Sequence, residues 1–294
     1  MSEGYIDLHI HSNKSSDGDF SPSQICHLAK EKNLKAISIA DHDTLDAYPE
    51  AIFASQKEGL EVIPNIELTT SFQTREFHLL LPFINWTKKE IYEILEKVNQ
   101  KKEDEAKKRV GALQQLGFDI TWEEVKKSTK SHPPLGVVIA KVLLDKEEKK
   151  KNSLLRKYFE GENRFFAPYK FYQDYFTKNK PAYFPKEQID IRQAIKTGKQ
   201  FQGVPVLAHP GAYFQRADEN DILQLKKEGL EGLEVYTSYH TPEQVKFYLA
   251  LARKLDLVPT AGSDFHGGIK PHITLGALKD GEYWMIEELK KRGR

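Results

Sequence analysis

The sequence predicts an α/β protein with a mainly parallel sheet or barrel, interrupted by a helical insertion. Short apolar runs alternate with amphipathic segments up to about residue 84, and the same alternation returns after about residue 202. The texture changes between them, because residues 87–160 carry 18 Lys and Arg against 13 Asp and Glu. Strands that alternate with helices are typical of parallel sheets, since the helix returns the chain to the same edge.

The N-terminal part is predicted to contain two strand–helix steps followed by two further strands. Ser21 is a suitable N-cap and Pro22 a suitable first residue for the first helix, and Gly59 is a plausible stop for the second. The predicted elements are strands at 5–10, 35–40, 60–69 and 76–84 and helices at 21–33 and 48–59.

The insertion is predicted to be helical from 87 to 160, with a break at the sequence SHPPLG. An aromatic stretch follows at 164–185, and it is explained either by packing or by stacking on bases; packing is favoured because aromatic side chains bury large areas. After it, the predicted elements are strands at 203–211, 230–238 and 257–268 (the last with its loop) and helices at 222–229 and 241–256.

Composition narrows the class of protein. The 294 residues are 39% hydrophobic and 30% charged with a net charge of +1, which is an ordinary globular balance. Cys26 is the one cysteine, so an internal disulfide and a cysteine-based zinc site are excluded. The N-terminus carries no apolar signal core and no run approaches membrane-spanning length. We therefore expect a cytoplasmic protein, with no membrane association and no obligate protein partner evident.

The stretch YIDLHIHS places two imidazoles in one strand. Ile6, Leu8 and Ile10 alternate with Asp7, His9 and His11, so the two sets point to opposite faces. Two imidazoles on one face can reach a shared ion. The alternative is a polar, solvent-facing side of an edge strand, and this stretch alone does not decide between them.

Further polar residues follow or begin other predicted strands. Any one of them has an ordinary explanation as a turn, cap or core residue, but chance does not explain all of them together. In βα barrels the carboxyl ends of the strands carry the active site, so these residues are expected at one mouth. They are His42, Glu67, His78, His209, Asp264 and His266, whereas Asp17 and its neighbour Asp19 in the first loop are most simply turn residues.

Together these pieces resemble the PHP superfamily, named for polymerase and histidinol phosphatase. The motifs are DLHIHS with SDG, ADHDT, IPNIE, FHLL, VLAHPG and GSDFHG, in family order and spread over the chain. The sequences NKPAYFP and GLEVY with HTPEQ are similar to the branch with a helical insertion. Members of that branch act on nucleotide 3′,5′-bisphosphates or on RNA 5′ ends.

The resemblance implies a distorted (β/α)7 barrel formed by residues 1–84 and 203–294, with residues 85–202 as a mostly helical cap. It also implies two or three divalent metal ions; imidazole and carboxylate ligands without thiolate suit Mn²⁺, Fe²⁺ or Zn²⁺. The implied ligands are His9, His11, Glu67 and Asp264 for the first ion, Glu67, His78 and His209 for the second, and Asp17, His42 and His266 for the third.

The insertion departs from better-known members, which carry an Arg-Pro-His run where this chain has LGVVIA. Lys180 in NKPAYFP matches a family lysine and is the best candidate for binding substrate phosphate. Arg164 is a weaker candidate to replace the missing arginine, with a surface role as its alternative. His240 lies near a predicted strand end, where a role in protonating the leaving group has no further support.

The predicted function is that of a metal-dependent phosphoesterase acting on a small phosphorylated nucleotide or a short RNA end. One alternative is a phosphatase for a non-nucleotide monoester such as histidinol phosphate. Another is a non-catalytic, metal-stabilised module that binds nucleic acid through the lysine-rich insertion. A solvated helix face explains those lysines more simply.

Overall fold

The computed structural model describes residues 5–129, 132–146, 152–161, 166–185, 187–212 and 215–293. The chain divides into two compact units. One unit consists of Met1–Leu95 and Gln188–Arg294, and the other is Glu96–Glu187. The first boundary falls inside helix α3 (Lys89–Gln115).

The strands of the first unit form two sheets. The three-stranded sheet is parallel, with the order β1 (Ile6–Ile10), β2 (Ala36–Ile39) and β3 (Glu61–Val62). The six-stranded sheet has the order β6-β4-β5-β7-β8-β9. Its strands are β4 (Glu67–Phe72), β5 (Arg75–Leu80), β6 (Ile189–Asp190), β7 (Val206–Leu207), β8 (Gly232–Thr237) and β9 (Val258–Gly262). The mainly parallel arrangement is confirmed, with β5 antiparallel to both β4 and β7.

Single bridges join the two sheets on both sides. On one side, His11 N donates to Phe265 O (2.9 Å) and Asp264 N donates to His9 O (2.8 Å). On the other, Asp43 N donates to Glu67 O (3.0 Å). These bonds bring the carboxyl ends of β1 and β9 together, and they place the segment after β2 beside the start of β4. A closed barrel of seven strands stays a prediction.

Side-chain caps begin several helices of the first unit. Ser21 caps α1 (Pro22–Glu31) in a reciprocal capping box with Gln24, and Thr241 does the same for α9 (Pro242–Lys254) with Gln244. Gly59 ends α2 (Tyr48–Glu58) with φ of 60°, a conformation that glycine adopts without strain. The helices are α1 (Pro22–Glu31), α2 (Tyr48–Glu58), α7 (Ile191–Gln200), α8 (Glu219–Lys227), α9 (Pro242–Lys254) and α10 (Trp284–Arg292).

The single strand predicted for residues 60–69 is wrong. Pro64 and Asn65 separate β3 from β4, which belong to different sheets. The Asn65 side chain stabilises this break: its Nδ2 donates to Leu8 O (3.2 Å), and its Oδ1 accepts from Leu81 N (2.8 Å). A buried amide thus replaces the ladder bonds that the chain loses here.

The second unit is helical, as the sequence predicts. Its helices after α3 are α4 (Trp122–Thr129), α5 (Gly136–Asp145) and α6 (Ala167–Tyr175). Phe171 and Phe176, from the aromatic stretch, are buried in its core beside Tyr158. Packing therefore explains these aromatic side chains. Among the described residues, no helix combines the length and apolar character that a membrane span needs.

Candidate metal centre

The two imidazoles of β1 are buried inside the first unit. His9 and His11 are both 0% exposed, which excludes the alternative of a solvent-facing edge. Their Nε2 atoms lie 3.2 Å apart. The strand pattern therefore aims both rings at one interior point, as a shared ion requires.

A first group of ligand atoms surrounds this point. His9, His11, Glu67 and Asp264 each offer one atom, and these atoms all lie within 4.8 Å of one another. His11 Nε2 is 3.0 Å from Asp264 Oδ1 and 3.2 Å from Glu67 Oε2. The four residues come from β1, the first residue of β4 and the loop after β9, which the bridges between the sheets bring together.

Glu67 also contacts the residues of the second predicted group. Its Oε1 lies 2.9 Å from both His78 Nδ1 and His209 Nε2. Its Oε2 lies 3.0 Å from His42 Nδ1, and His42, Glu67 and His78 form a further cluster with metal-ligand spacing. One carboxylate is thus placed between two groups of imidazoles, and His42 lies nearer this second group than the sequence indicates.

A third cluster contains His11, Asp17, His42 and His266. Asp17 Oδ2 is 3.0 Å from His266 Nε2 and 3.6 Å from His42 Nε2. Asp19, the other aspartate of this loop, instead accepts a hydrogen bond from Gly268 N (2.5 Å). The structure therefore brings together all the predicted ligands, and His11 joins the third cluster in addition.

The contacts among these atoms fit metal ligation better than a hydrogen-bond network. Among the described residues, Glu67 Oε2 and His42 Nδ1 are buried without a hydrogen-bond partner, although they lie 3.0 Å apart. A buried ring nitrogen and a buried carboxylate oxygen that approach so closely without a hydrogen bond fit ligands around a common ion. Imidazole and carboxylate donors without a thiolate fit a divalent ion of the first transition row.

Electrostatics keep the carboxylates ionised. Burial alone raises the pKa of Glu67, but the charges of His78, His9 and His42 outweigh it and hold this pKa well below its usual value. Burial likewise raises the pKa of Asp264, and Lys270 with the neighbouring imidazoles lowers it well below the usual value. Negative charge is therefore present in the site at neutral pH, as cation binding needs.

The imidazoles respond in two ways. Burial lowers the pKa of His11, but the neighbouring carboxylates of Asp264 and Glu67 prevail and raise it to about 9. Burial also lowers the pKa of His78, but the charge of Glu67 outweighs this effect and raises the pKa to about 9. For His42, His209 and His266 burial prevails and the pKa falls. Protons thus occupy positions that a divalent cation would take.

The backbone is strained at two predicted ligands. His209 has φ of 26° and Asp264 has φ of 59°, which non-glycine residues adopt at a cost of about 1–3 kcal/mol each. Such strain persists where surrounding contacts impose it, and it is common at functional sites. His209 N donates to Glu234 Oε2 (2.7 Å), and Asp264 N donates to His9 O (2.8 Å).

Sequence analysis missed Glu234, a 0% exposed carboxylate on β8. Its Oε1 lies 3.1 Å from His9 Nδ1, and its Oε2 accepts from His209 N. A carboxylate on Nδ1 leaves the Nε2 lone pair of His9 directed toward His11. Its signal in the sequence was a charged residue inside the apolar run GLEVY, where alternation puts it on the face opposite Leu233 and Val235.

Asp7 and His240 bind backbone atoms near the predicted ligands. Asp7 binds backbone, accepting from Ser263 N (2.9 Å) and Gly276 N (3.1 Å), and orients no ligand imidazole. His240 Nδ1 lies 2.8 Å from Val235 O, and its Nε2 accepts from Gly211 N (2.8 Å). Both ring nitrogens of His240 are thereby engaged in supporting loops, which opposes a role in proton transfer.

Of the two predicted substrate-binding residues, the structure describes one. Lys180 is exposed in the second unit, in the turn after α6, where its backbone N–H donates to Thr177 O (3.0 Å). Arg164 lies outside the described residues. Their roles stay predictions.

The sequence profile of the PHP domain matches residues 7–172, more than half of the chain. A 5′-3′ exoribonuclease of Haemophilus influenzae is 26% identical over 262 residues, covering 88% of this chain and 89% of the relative. A 3′,5′-nucleoside bisphosphate phosphatase of Chromobacterium violaceum is 24% identical over 271 residues, covering 89% and 87%.

The fold agrees with a solved structure as well. The crystal structure of a proposed metal-dependent phosphoesterase from Bifidobacterium adolescentis superposes with a TM-score of 0.81 and 26% identity. The superposition covers 100% of this chain and 98% of that one. On the profile match, the motifs and the fold, this chain belongs to the PHP domain family.

Proposed function

We propose that this protein is a metal-dependent phosphoesterase that hydrolyses a phosphate ester of a small nucleotide, such as a 3′,5′-bisphosphate, or of a short RNA 5′ end. The observation that carries the proposal is the arrangement around Glu67. Its two carboxylate oxygens lie within 3.3 Å of His9, His11, His42, His78 and His209. The similarity to a bisphosphate phosphatase and an exoribonuclease supports the choice of substrate class.

Two or three divalent ions (Mn²⁺, Fe²⁺ or Zn²⁺) complete this site in the proposal. His9, His11, Glu67 and Asp264 would hold one, Glu67 would hold a second with His78 and His209, and Asp17, His42 and His266 would hold the third. Ions bound in this way lower the pKa of coordinated water and offset charge on phosphoryl oxygens. The protein contributes the orientation of the ligands: Glu234 fixes His9, and the bridges between the sheets fix Asp264 and Glu67.

The proposal includes the domain assignment. Residues 1–84 and 203–294 form a distorted seven-stranded barrel, and residues 85–202 form an inserted substrate-specificity domain. The sheet bridges at Ile10 and Phe265, and at His42 and Glu67, support closure of the barrel. The helices α3 to α6 support a separate domain, of which Glu96–Glu187 is the compact part; β6 and α7 lie within residues 85–202 but belong to the first unit. The single, buried Cys26 is consistent with a cytoplasmic location.

A substrate screen tests the function. Purified protein is stripped with chelator, reloaded with Mn²⁺, Fe²⁺ or Zn²⁺, and offered nucleoside 3′,5′-bisphosphates, 5′-phosphorylated oligoribonucleotides, nucleoside monophosphates and histidinol phosphate. We expect release of phosphate or mononucleotide from the first two classes, only after metal is restored. Preference for histidinol phosphate would replace the nucleotide assignment. Oligonucleotide binding without hydrolysis under any metal would contradict the enzymatic proposal.

A further inference from the structure

We propose that Lys270 binds an oxygen of the substrate phosphate beside the metal centre, and that Tyr239 holds Lys270 in position. The inference rests on the proposed phosphoesterase function. It assigns a cationic side chain of the first unit to binding the reacting phosphate, independently of Lys180 in the second unit. Neither residue was singled out from the sequence.

The two oxygens of Asp264 face different partners. Oδ1 lies 3.0 Å from His11 Nε2 and 3.4 Å from His9 Nε2, within the first group of ligands. Oδ2 lies 2.5 Å from Lys270 Nζ and also accepts from the Tyr239 hydroxyl. Lys270 Nζ donates in turn to Tyr239 Oη (2.7 Å). The ammonium is therefore placed next to the ligand cluster, on the far side of one of its carboxylates.

Within the part of the chain that the structure describes, Lys270 has donor capacity left for a ligand. An ammonium has three N–H donors, and the described acceptors of Lys270 Nζ are Asp264 and Tyr239. Its side chain is 27% exposed, whereas that of Asp264 is 2% exposed. The remaining donor therefore has access to solvent at the edge of a buried cluster, where an incoming anion first meets the site.

The charge balance favours an anion at this place. A cation held by His9 and His11 would be attracted to Oδ1 of Asp264. The single negative charge of Asp264 would then be divided between this cation and Lys270, which weakens the attraction between Lys270 and Oδ2. The Lys270 ammonium and such a cation are like charges that repel each other in a partly buried site. An anion that lies between them offsets this repulsion. A phosphate ester has several oxygens of suitable charge and forms charge-assisted hydrogen bonds with lysine.

The loop that carries Lys270 is held before any ligand arrives. The 3₁₀ turn Gly267–Ile269 precedes it, and Asp19 Oδ2 accepts from Gly268 N (2.5 Å). Gly267 has φ of 75°, and a Cβ added there would lie 2.9 Å from Asp19 Oδ2, so glycine is the residue that fits without strain. A fixed loop reduces the ordering cost of binding.

Direct measurement of anion binding tests the proposal. Inorganic phosphate is titrated by calorimetry into Mn²⁺-loaded protein, using the parent, Lys270→Met, Lys270→Arg and Tyr239→Phe. Lys35→Met is the matched control, because Lys35 Nζ also lies over a tyrosine ring, that of Tyr283 (3.7 Å), but contacts no predicted ligand. Metal content and melting temperature are measured for each variant.

We expect Lys270→Met to weaken phosphate binding roughly 10- to 150-fold, the range for a lost charge-assisted contact, with Lys270→Arg retaining part of the affinity. Tyr239→Phe should cause a smaller loss, Lys35→Met none, and metal content should stay constant. The kcat/KM of Lys270→Met should fall on monoesters and bisphosphates alike.

Three results would overturn the inference: unchanged phosphate affinity in Lys270→Met, absence of phosphate binding by the parent, or loss of metal in proportion to loss of affinity. The last would assign Lys270 to supporting Asp264 alone. Hydrolysis of nucleotide esters with unchanged Lys270→Met behaviour would leave the proposed function intact. Phosphate binding through Lys270 without hydrolysis of any ester would contradict the function and keep the anion contact.

Discussion

Glu234 Oε1 lies 3.1 Å from His9 Nδ1, and both side chains are 0% exposed. This contact fixes which nitrogen of His9 faces the ligand cluster. The other oxygen of Glu234 holds the strained backbone of His209, so one carboxylate positions two ligands on different strands. A residue that touches no ion in the proposal thereby controls the geometry of the centre.

Glu234→Gln should lower metal affinity or activity about 10- to 100-fold, as loss of a carboxylate behind a ligand histidine typically does. The amide keeps the size of the side chain but can present its NH₂ group to His9 Nδ1. Metal affinity is measured by competition with a chromogenic chelator, alongside kcat and KM. An unchanged affinity with normal turnover would show that packing alone orients His9.

Glu67→Ala should lose metal and activity together. Its carboxylate contacts five imidazoles, and no neighbouring side chain replaces it. Metal content by mass spectrometry and turnover of a bisphosphate are measured on folded protein, verified by circular dichroism. Full metal content with normal turnover would rule out the shared role of Glu67.

Gly262→Ala should damage the same centre from the backbone side. A Cβ added at Gly262 would overlap Glu234 Oε1 and the Cβ of His9. We expect reduced metal occupancy and a lower melting temperature. Gly111→Ala in α3 is the control, since a Cβ there meets nothing within 4 Å and should stabilise the helix by about 0.5–1 kcal/mol. Equal effects of both substitutions would contradict the crowding at Gly262.

The metal-free protein should lose stability as pH rises from about 6.5 to about 9. The pKa of His11 and of His78 is raised to about 9 by neighbouring carboxylates. The protonated rings therefore stabilise the fold fully below their unfolded pKa, and this contribution disappears as pH passes the folded pKa. Metal affinity should increase over the same interval, because metal displaces these protons. Melting temperatures of chelated and Mn²⁺-loaded protein at pH 6 and pH 9 check both trends.

The ligand residues could be predicted because their signals are local. His9 and His11 alternate with apolar residues, and Asp264 and His266 follow a strand, so short patterns reveal them. Glu234 interrupts the apolar run GLEVY, but its partner His9 lies 225 positions away, and Lys270 bonds to Tyr239, which lies 31 positions away, so local patterns do not reveal their roles. The division of residues 60–69 between two sheets depends on Asn65 bonding to Leu8, which no local pattern contains.

The glycine at the start of α5 has a local explanation in the second unit. The resemblance to the family implies part of an Arg-Pro-His run at Gly136, but a Cβ there would lie 2.5 Å from Arg109 Nη1. Arg109 is 3% exposed, pairs with Glu105 (2.6 Å) and lies over the Phe176 ring (4.9 Å). Glycine thus makes room for a buried arginine from another helix.

Lys180→Ala should separate binding of a remote phosphate from the chemistry at the metals. If Lys180 contacts a second phosphate or phosphodiester, its loss should lower kcat/KM for a bisphosphate or oligonucleotide roughly 10- to 150-fold. A chromogenic monoester has no second phosphate and should be hydrolysed almost as before, with metal content unchanged. Lys178→Ala is the matched control, since Lys178 is an exposed lysine of the same turn. Equal losses on both substrates would place Lys180 in the chemistry or the fold. An unchanged kcat/KM on both substrates would show that Lys180 is a surface lysine, and Lys270 would remain the candidate cation for phosphate.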